Sequence, residues 1–196
     1  MKRNELTAPQ PRKIQTFIDQ VPPVVWIILA LMAIFTLLSR NYLSVSNLTN
    51  ILQQGAVLLL VAAAQTFVIL SGGMDLSLGS VLTISGITTA ISLNANLPIP
   101  VAILVGLLTG AACGAITGLL ISYANMQPFI ASLGIQGVYY GIALAVTDST
   151  AIFISNRAFT VIGGKLAGIP MAAVLSGLLY LVLIKISTDT KFGRYV

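Results

Sequence analysis

Five polar side chains lie inside or beside long apolar segments of this sequence, where they could contact a solute: Gln65, Asp75, Ser77, Ser132 and Gln136. A polar side chain that faces lipid is unfavourable, so each must face protein or a water-filled path. Uncharged hydroxyl and amide groups suit a neutral, hydroxylated solute that passes through weak contacts. Hydrogen bonding between helices explains these side chains equally well, and both interpretations stay open at this point.

The spacing of several polar residues places them together. Ser132, Gln136 and either Tyr139 or Tyr140 follow one another at helical intervals, which puts them on one helix face. Further hydroxyls occur through the apolar segment that follows Asp75. Both sets predict polar stripes within helices.

Asp75 is the only acidic residue between residues 20 and 147. It follows Gly72 and Gly73, which disfavour a helix because of their backbone entropy. A carrier driven by protons or sodium usually needs carboxylates or unwound helices within the membrane. We interpret Asp75 instead as a helix cap at the membrane boundary, where it or Ser77 accepts hydrogen bonds from free N–H groups.

The sequence offers no combination of residues that supports catalysis. It has no histidine, which excludes most acid–base triads and a structural zinc site. Its single cysteine, Cys113, cannot form a disulfide within the chain. The run Gly163-Gly164-Lys165-Leu166 lacks the spacing of a phosphate-binding loop. We therefore predict no catalytic residue, no metal and no bound cofactor. Energy for uphill transport would have to come from another subunit.

Composition indicates what kind of fold positions these residues. Hydrophobic residues make up 57% of the 196 residues and charged residues 8%. About a quarter of a soluble domain is charged, so this chain could not cover a surface that faces water. Lipid removes that requirement, and we predict an all-α, polytopic transmembrane helical bundle in contact with membrane lipid.

Six apolar segments are long enough to cross a membrane at a rise of about 1.5 Å per residue. They cover residues 21–38, 51–70, 76–93, 99–121, 129–146 and 169–186. The sequence thus divides into a cytoplasmic tail at 1–20, an incomplete six-span domain at 21–187, and the start of a cytoplasmic loop at 188–196.

The cations that flank these segments orient the bundle and argue against a nucleic acid partner. With the N-terminus inside, seven cations lie in cytoplasmic segments: Lys2, Arg3, Arg12, Lys13, Lys185, Lys191 and Arg194. Three would lie outside: Arg40, Arg157 and Lys165. We therefore predict a cytoplasmic N-terminus. A re-entrant pair within 51–93 would invert everything downstream.

Glycines recur every four residues in the fourth segment, at Gly106, Gly110, Gly114 and Gly118. Helices in lipid associate by close packing, and grooves lined by small residues permit it. We predict a helix-packing seam along all four glycines, in preference to a lining of the solute path.

Four stretches carry a family resemblance: NLTNILQQ at 47–54, TFVILSGGMDLSLGS at 66–80, QPFIASLG at 127–134 and TKFGRYV at 190–196. They resemble the ribose/galactose-type ABC transporter permeases of the branched-chain and sugar permease superfamily, and the second stretch is the most specific. The resemblance covers about residues 40–196. The sequence departs from the family at Ala64, Met74 and Tyr140, of which the last two bear on substrate choice.

This resemblance implies a type II ABC importer fold and a permease subunit in a bacterial inner membrane, for ribose or a related monosaccharide. It implies an ATP-binding subunit that holds ATP and Mg, a periplasmic sugar-binding protein, and a second permease copy in a homodimer or heterodimer. Gly193 and Arg194 would begin the coupling loop that docks on the ATPase. Because the sequence stops inside its last stretch, we expect an N-terminal fragment that does not transport by itself.

Two other classes of protein fit the same composition. An ion-coupled secondary transporter of small polar solutes would depend on an ion gradient instead of ATP. A membrane scaffold without transport activity would bury its polar stripes against partners. The family resemblance favours the ABC permease over both.

Overall fold

A computed structural model describes residues 21–156, 158–159, 163–191 and 193. Six α-helices lie within these residues: α1 (Pro23–Leu38), α2 (Val45–Leu70), α3 (Leu78–Asn94), α4 (Ile99–Ser122), α5 (Pro128–Thr147) and α6 (Met171–Asp189). Two short strands, β1 (Lys165–Leu166) and β2 (Ile169–Pro170), form an antiparallel pair before α6. The predicted tail at 1–20, Arg157 and Arg194 lie outside the described residues.

Proline and left-handed residues set the helix boundaries. Proline occupies one of the first two positions of α1, α4 and α5, where its missing N–H removes no helical hydrogen bond. α2 ends at Leu70, and Gly72 follows with a φ of 82°. Asn96, Asn125 and Asp148 follow α3, α4 and α5 with φ values of 60°, 51° and 49°. Asparagine and aspartate tolerate this conformation better than other side chains do, so the helices stop there.

The prediction of an all-α, polytopic membrane bundle is confirmed, and each predicted segment corresponds to one helix. The largest difference is at the start of α2, which begins at Val45 and not at residue 51. Ser44 explains the earlier start, because its Oγ accepts a hydrogen bond from the Asn47 N–H at 3.2 Å. A serine in this position satisfies a free N–H of the first helical turn.

The helices differ in length. By length and composition α2, α4, α5 and α6 could each cross a membrane. α1 and α3 have 16 and 17 residues. At a rise of 1.5 Å per residue they extend about 24 and 26 Å, less than a hydrocarbon core of about 30 Å. That α1 and α3 also cross the membrane completely therefore stays a prediction.

The described residues form two compact units, one up to Leu48 and one from Thr49 onward. In the first unit, the rings of Phe35 and Tyr42 stack with their centroids 5.6 Å apart. Asn47 Nδ2 donates a hydrogen bond to the carbonyl of Tyr42 at 2.7 Å. These contacts fix the turn that connects the end of α1 to the start of α2.

In the second unit, α3 packs along both α4 and α5. The buried apolar side chains here are mostly alanines, and Leu93 is the largest fully buried side chain among the described residues. Small residues let helix backbones approach closely, which holds helices together in lipid. Most large apolar side chains lie exposed instead. This distribution suits a surface that faces hydrocarbon and not water.

α3 and α4 are in tight contact at Gly106. A Cβ atom there would overlap the Thr89 hydroxyl and would lie 3.1 Å from the Ser85 carbonyl oxygen, both on α3. Nearby, the hydroxyls of Thr88 and Thr109 are 3.2 Å apart and form a hydrogen bond between the helices. Glycine at 106 therefore allows a contact that any larger residue would obstruct.

The other three glycines of α4 have different surroundings. A Cβ at Gly110 would make ordinary contact with α3, at 3.8 Å from its nearest atom. A Cβ at Gly114 or Gly118 would meet nothing within 4 Å among the described residues. The contact with α3 thus involves Gly106 and Gly110, and the predicted packing role of Gly114 and Gly118 stays a prediction.

We predict that Gly106→Ala destabilises the protein, while the matched change Gly114→Ala does not. Forcing an extra methyl group into a packed contact typically costs about 1–3 kcal/mol. The same methyl in open space favours the helix by up to about 1 kcal/mol. Thermal unfolding of the two purified variants in detergent compares them. An unfolding temperature for Gly106→Ala equal to or above that of Gly114→Ala would contradict the close contact.

Candidate functional site

Asp75 closes the turn that leads into α3. Its Oδ1 accepts hydrogen bonds from the Ser77 N–H and the Ser77 Oγ, each at 2.7 Å. Ser77 is the N-cap residue of α3 and is 1% exposed, but its side chain donates to Asp75 and caps no N–H of the helix. Asp75 therefore closes a turn ahead of α3 by bonding to Ser77, and the predicted capping of a helical N–H by either side chain stays a prediction.

Ser132 attaches α5 to the same turn. Its side chain is fully buried, and its Oγ lies 3.3 Å from the Met74 carbonyl oxygen and 3.2 Å from that of Phe129. The bond to Met74 connects residues 58 positions apart in the sequence. Ser132 therefore joins the first turn of α5 to the segment that precedes α3.

Three of the five predicted site residues, Asp75, Ser77 and Ser132, thus meet at one end of the α3–α4–α5 core. We call these three residues the turn cluster. A cavity of about 240 Å³ adjoins it, lined by residues 72–74 and 127–129. The glycine pair and the start of α5 therefore leave open space beside a small group of hydrogen-bonded polar atoms.

The other two predicted residues lie apart from this cluster. Gln65 is half-buried on α2, and its Oε1 is buried with no hydrogen-bond donor among the described residues. Gln136 is half-buried on α5, four residues after Ser132. An unpartnered buried carbonyl is costly, so Gln65 is a position where a donor from solute, water or protein would be stabilising.

The hydroxyls of α3 are mostly satisfied within their own helix. Six of them donate to a carbonyl three or four residues earlier: Ser80, Thr83, Ser85, Thr88, Thr89 and Ser92. Hydrogen bonding within α3 is therefore a third explanation for these hydroxyls, besides contact with a solute and hydrogen bonding between helices. Each hydroxyl oxygen also keeps lone pairs that can accept from a neighbour.

The two neighbouring tyrosines differ in burial: Tyr139 is buried and Tyr140 is exposed. Tyr139 is 4% exposed, and its hydroxyl donates to the Cys113 carbonyl on α4 at 2.8 Å. Thr117 donates to the same carbonyl at 3.1 Å. Tyr140 is 53% exposed. Tyr139 is therefore the tyrosine that packs in the core with Ser132. Thr117 could not be found from its sequence position, because its place among glycines predicts packing and not a polar contact.

The last two predicted positions mark the end of the described chain. Gly193 lies beyond α6, with its N–H 3.5 Å from the Thr190 hydroxyl oxygen. Arg194 lies outside the described residues. The role of this pair as the start of a coupling loop stays a prediction.

The arrangement offers hydrogen-bonding groups and little charge. Asp75 is the only acidic member of the turn cluster, and its Oδ1 is already engaged by Ser77. Among the described residues, no group of three or more histidine, cysteine, aspartate and glutamate side chains could hold a metal ion. The described groups are therefore suited to weak, uncharged contacts with a polar solute.

Comparison with known proteins places these features in a family. Residues 47–196 match the family described as the branched-chain amino acid transport system permease component. The match includes all five predicted polar site residues and all of the α3–α4–α5 core. No solved structure matches the chain significantly.

Several individual proteins are similar to the chain. The D-allose transport system permease protein of Escherichia coli K12 is 33% identical over 87% of this chain and 53% of its own length. The ribose import permease protein of Haemophilus influenzae is 37% identical over 86% and 54%. The fructose import permease protein of Rhizobium meliloti is 29% identical over 94% and 55%. The chain thus spans about half the length of these relatives.

We predict that Asp75→Asn leaves the thermal stability of the protein nearly unchanged, while Asp75→Ala lowers it. Asparagine keeps a side-chain oxygen that can accept from Ser77, and alanine does not. Loss of a capping carboxylate or amide typically costs about 1 kcal/mol. Thermal unfolding of the two purified variants measures the difference. Equal losses in both variants would show that the charge of Asp75 matters and not its hydrogen bonds.

Proposed function

Because the chain belongs to the family of branched-chain amino acid transport system permease components, we propose that it forms part of the membrane-spanning subunit of an ABC importer. The solute is ribose or a related monosaccharide, delivered by a binding protein. Family membership makes the chain a transport subunit and not an enzyme.

The names of the similar proteins are the observation that supports a sugar as the solute. The three relatives described above are named for D-allose, ribose and fructose, all of them neutral sugars. The polar groups of this chain support the same choice, because its core helices offer hydroxyls, carbonyls and amides in place of charged side chains. Such groups can exchange hydrogen bonds with sugar hydroxyls without holding them tightly.

In this proposal, partner proteins supply the energy for transport and deliver the solute. An ATP-binding subunit holds ATP and Mg and supplies the work, while this chain binds no cofactor of its own. A periplasmic sugar-binding protein delivers the solute. A second permease copy, identical or different, completes the path.

The proposed location is the bacterial inner membrane, with the N-terminus in the cytoplasm. Residues 1–20 form a cytoplasmic tail, 21–187 the permease domain, and 188–196 the start of the loop that receives the ATPase. Within that loop, Gly193 and Arg194 are the first coupling residues. Under this orientation the turn cluster lies at the cytoplasmic side of the membrane.

Two groups of residues take different roles along the path. We assign the turn cluster to a cytoplasmic gate, because it joins the segment after α2 to the starts of both α3 and α5. Gln65 and Gln136 are assigned to contacts with the passing solute. The buried, unpartnered Oε1 of Gln65 supports this role, since a sugar hydroxyl could donate to it.

Ion-coupled transport is not favoured by any described feature. The carboxylate that could carry a proton or sodium ion is Asp75, and its Oδ1 holds the turn before α3. This role in the turn explains the carboxylate without a bound ion. We therefore retain the ABC importer as the single candidate function.

Uptake by proteoliposomes tests this proposal. The vesicles contain the complete permease that includes this chain, together with its ATP-binding subunit, and the binding protein is added outside. We predict that labelled D-ribose accumulates only when ATP is inside, and that a protonophore leaves this uptake unchanged. Uptake that the protonophore abolishes while ATP is maintained would contradict the proposal and favour an ion-coupled transporter.

A further inference from the structure

A second polar region extends along α3 and α5, away from the turn cluster. There α3, α5 and the segment 149–154 line a cavity of about 550 Å³. α3 and α5 both begin at the turn cluster, and the cavity runs along α3 from Leu82 to Ala90 and along α5 from Tyr140 to its last residue, Thr147. The volume falls within the roughly 300–1,000 Å³ range of pockets that hold small molecules.

The segment 150–156, which we call the strap, is held against the end of α3 by one side chain. Asn94 Nδ2 donates to the Phe153 carbonyl at 2.9 Å, and the Ser155 N–H donates to Asn94 Oδ1 at 3.2 Å. The side-chain amide thus pairs with the strap backbone through both of its polar atoms. This pairing keeps the strap beside the cavity as part of its wall.

The cavity wall combines hydroxyl groups with apolar surface. Its hydroxyls belong to Thr83, Tyr140, Thr147, Ser149 and Thr150, and none of its described lining residues is charged. Thr83 and Thr147 donate to helix carbonyls at 2.9 and 3.0 Å, so their oxygen lone pairs can accept from a ligand. Tyr140 adds an aromatic ring with a polar end. Such a wall complements a sugar, which has apolar C–H faces and a hydroxyl edge.

We propose that this cavity is the site where a neutral monosaccharide first contacts this chain, with the strap as its outer wall. The inference rests on the proposed importer function and deepens it, because the proposed orientation places this end of the core outside the cytoplasm. A phosphorylated sugar would lose its hydration here without meeting a positive charge, so the site discriminates against charged solutes.

Cysteine labelling of the complete importer in right-side-out vesicles tests the proposal. The buried Cys113 is first removed by Cys113→Ala, and Thr83→Cys or Thr147→Cys is then introduced into the cavity wall. Leu97→Cys is the matched control, since it lies in the exposed turn after α3 and does not line the cavity. A membrane-impermeant maleimide is the reagent, D-ribose is the probe, and D-ribose 5-phosphate is the charged control. Uptake of D-ribose by the unsubstituted importer is measured in parallel.

We expect both cavity cysteines to react. D-ribose at twice its dissociation constant should slow their reaction about threefold. D-ribose 5-phosphate should have no effect, and Leu97→Cys should react equally fast in all conditions. Absence of reaction at both cavity positions would overturn the proposal, because protein would then fill the cavity. Reaction that neither sugar slows, or that both slow equally, would also overturn it. Protection by D-ribose in an importer that does not take up D-ribose would refute the proposed transport function and leave the cavity assignment standing.

Discussion

At Gly106 the backbone of α4 approaches α3 so closely that a larger residue would collide with it. Two apolar helices gain no hydrophobic free energy by meeting in lipid, so close packing and hydrogen bonds must hold them together. Gly106 provides the packing, and the Thr88–Thr109 bond provides a polar contact beside it. α5 then joins both helices, since it packs on α3 and Tyr139 bonds to a carbonyl of α4. The positions of the turn cluster and of the strap cavity both follow from this three-helix core.

The same constraint shapes the chemistry that the core can offer. No water is available inside lipid to satisfy a hydroxyl, so the hydroxyls of α3 donate to carbonyls of their own helix. Their lone pairs still accept hydrogen bonds, but the helix presents no charge to a solute. Asp75 does not change this, because it lies in the turn before α3 and not on the helix. A neutral solute could exchange such contacts one at a time, which suits passage better than tight binding.

Much of the fold could be predicted from the sequence, because apolar segments of membrane length with glycine, proline and asparagine between them leave few alternatives. The clustering of Asp75, Ser77 and Ser132 could not, since the Ser132–Met74 bond joins residues far apart in sequence. The glycine ladder has a related limit: its spacing marks a face of α4 but not how closely α3 approaches each glycine. Residue spacing also did not show which of Tyr139 and Tyr140 is buried, and it did not show that Asn94 bonds to the strap.

Disulfide trapping between α3 and α4 in the native membrane tests this core most directly. The pair Thr88→Cys with Thr109→Cys is introduced into the complete subunit that lacks Cys113. The two native hydroxyls are 3.2 Å apart, so we predict rapid cross-linking under mild oxidation. Thr88→Cys with Leu108→Cys is the control, because Leu108 is exposed on another face of α4 and should not cross-link. No cross-link for the first pair, or equal cross-linking of both, would contradict the packing of α3 on α4 within the core that positions the turn cluster and the cavity beside the strap.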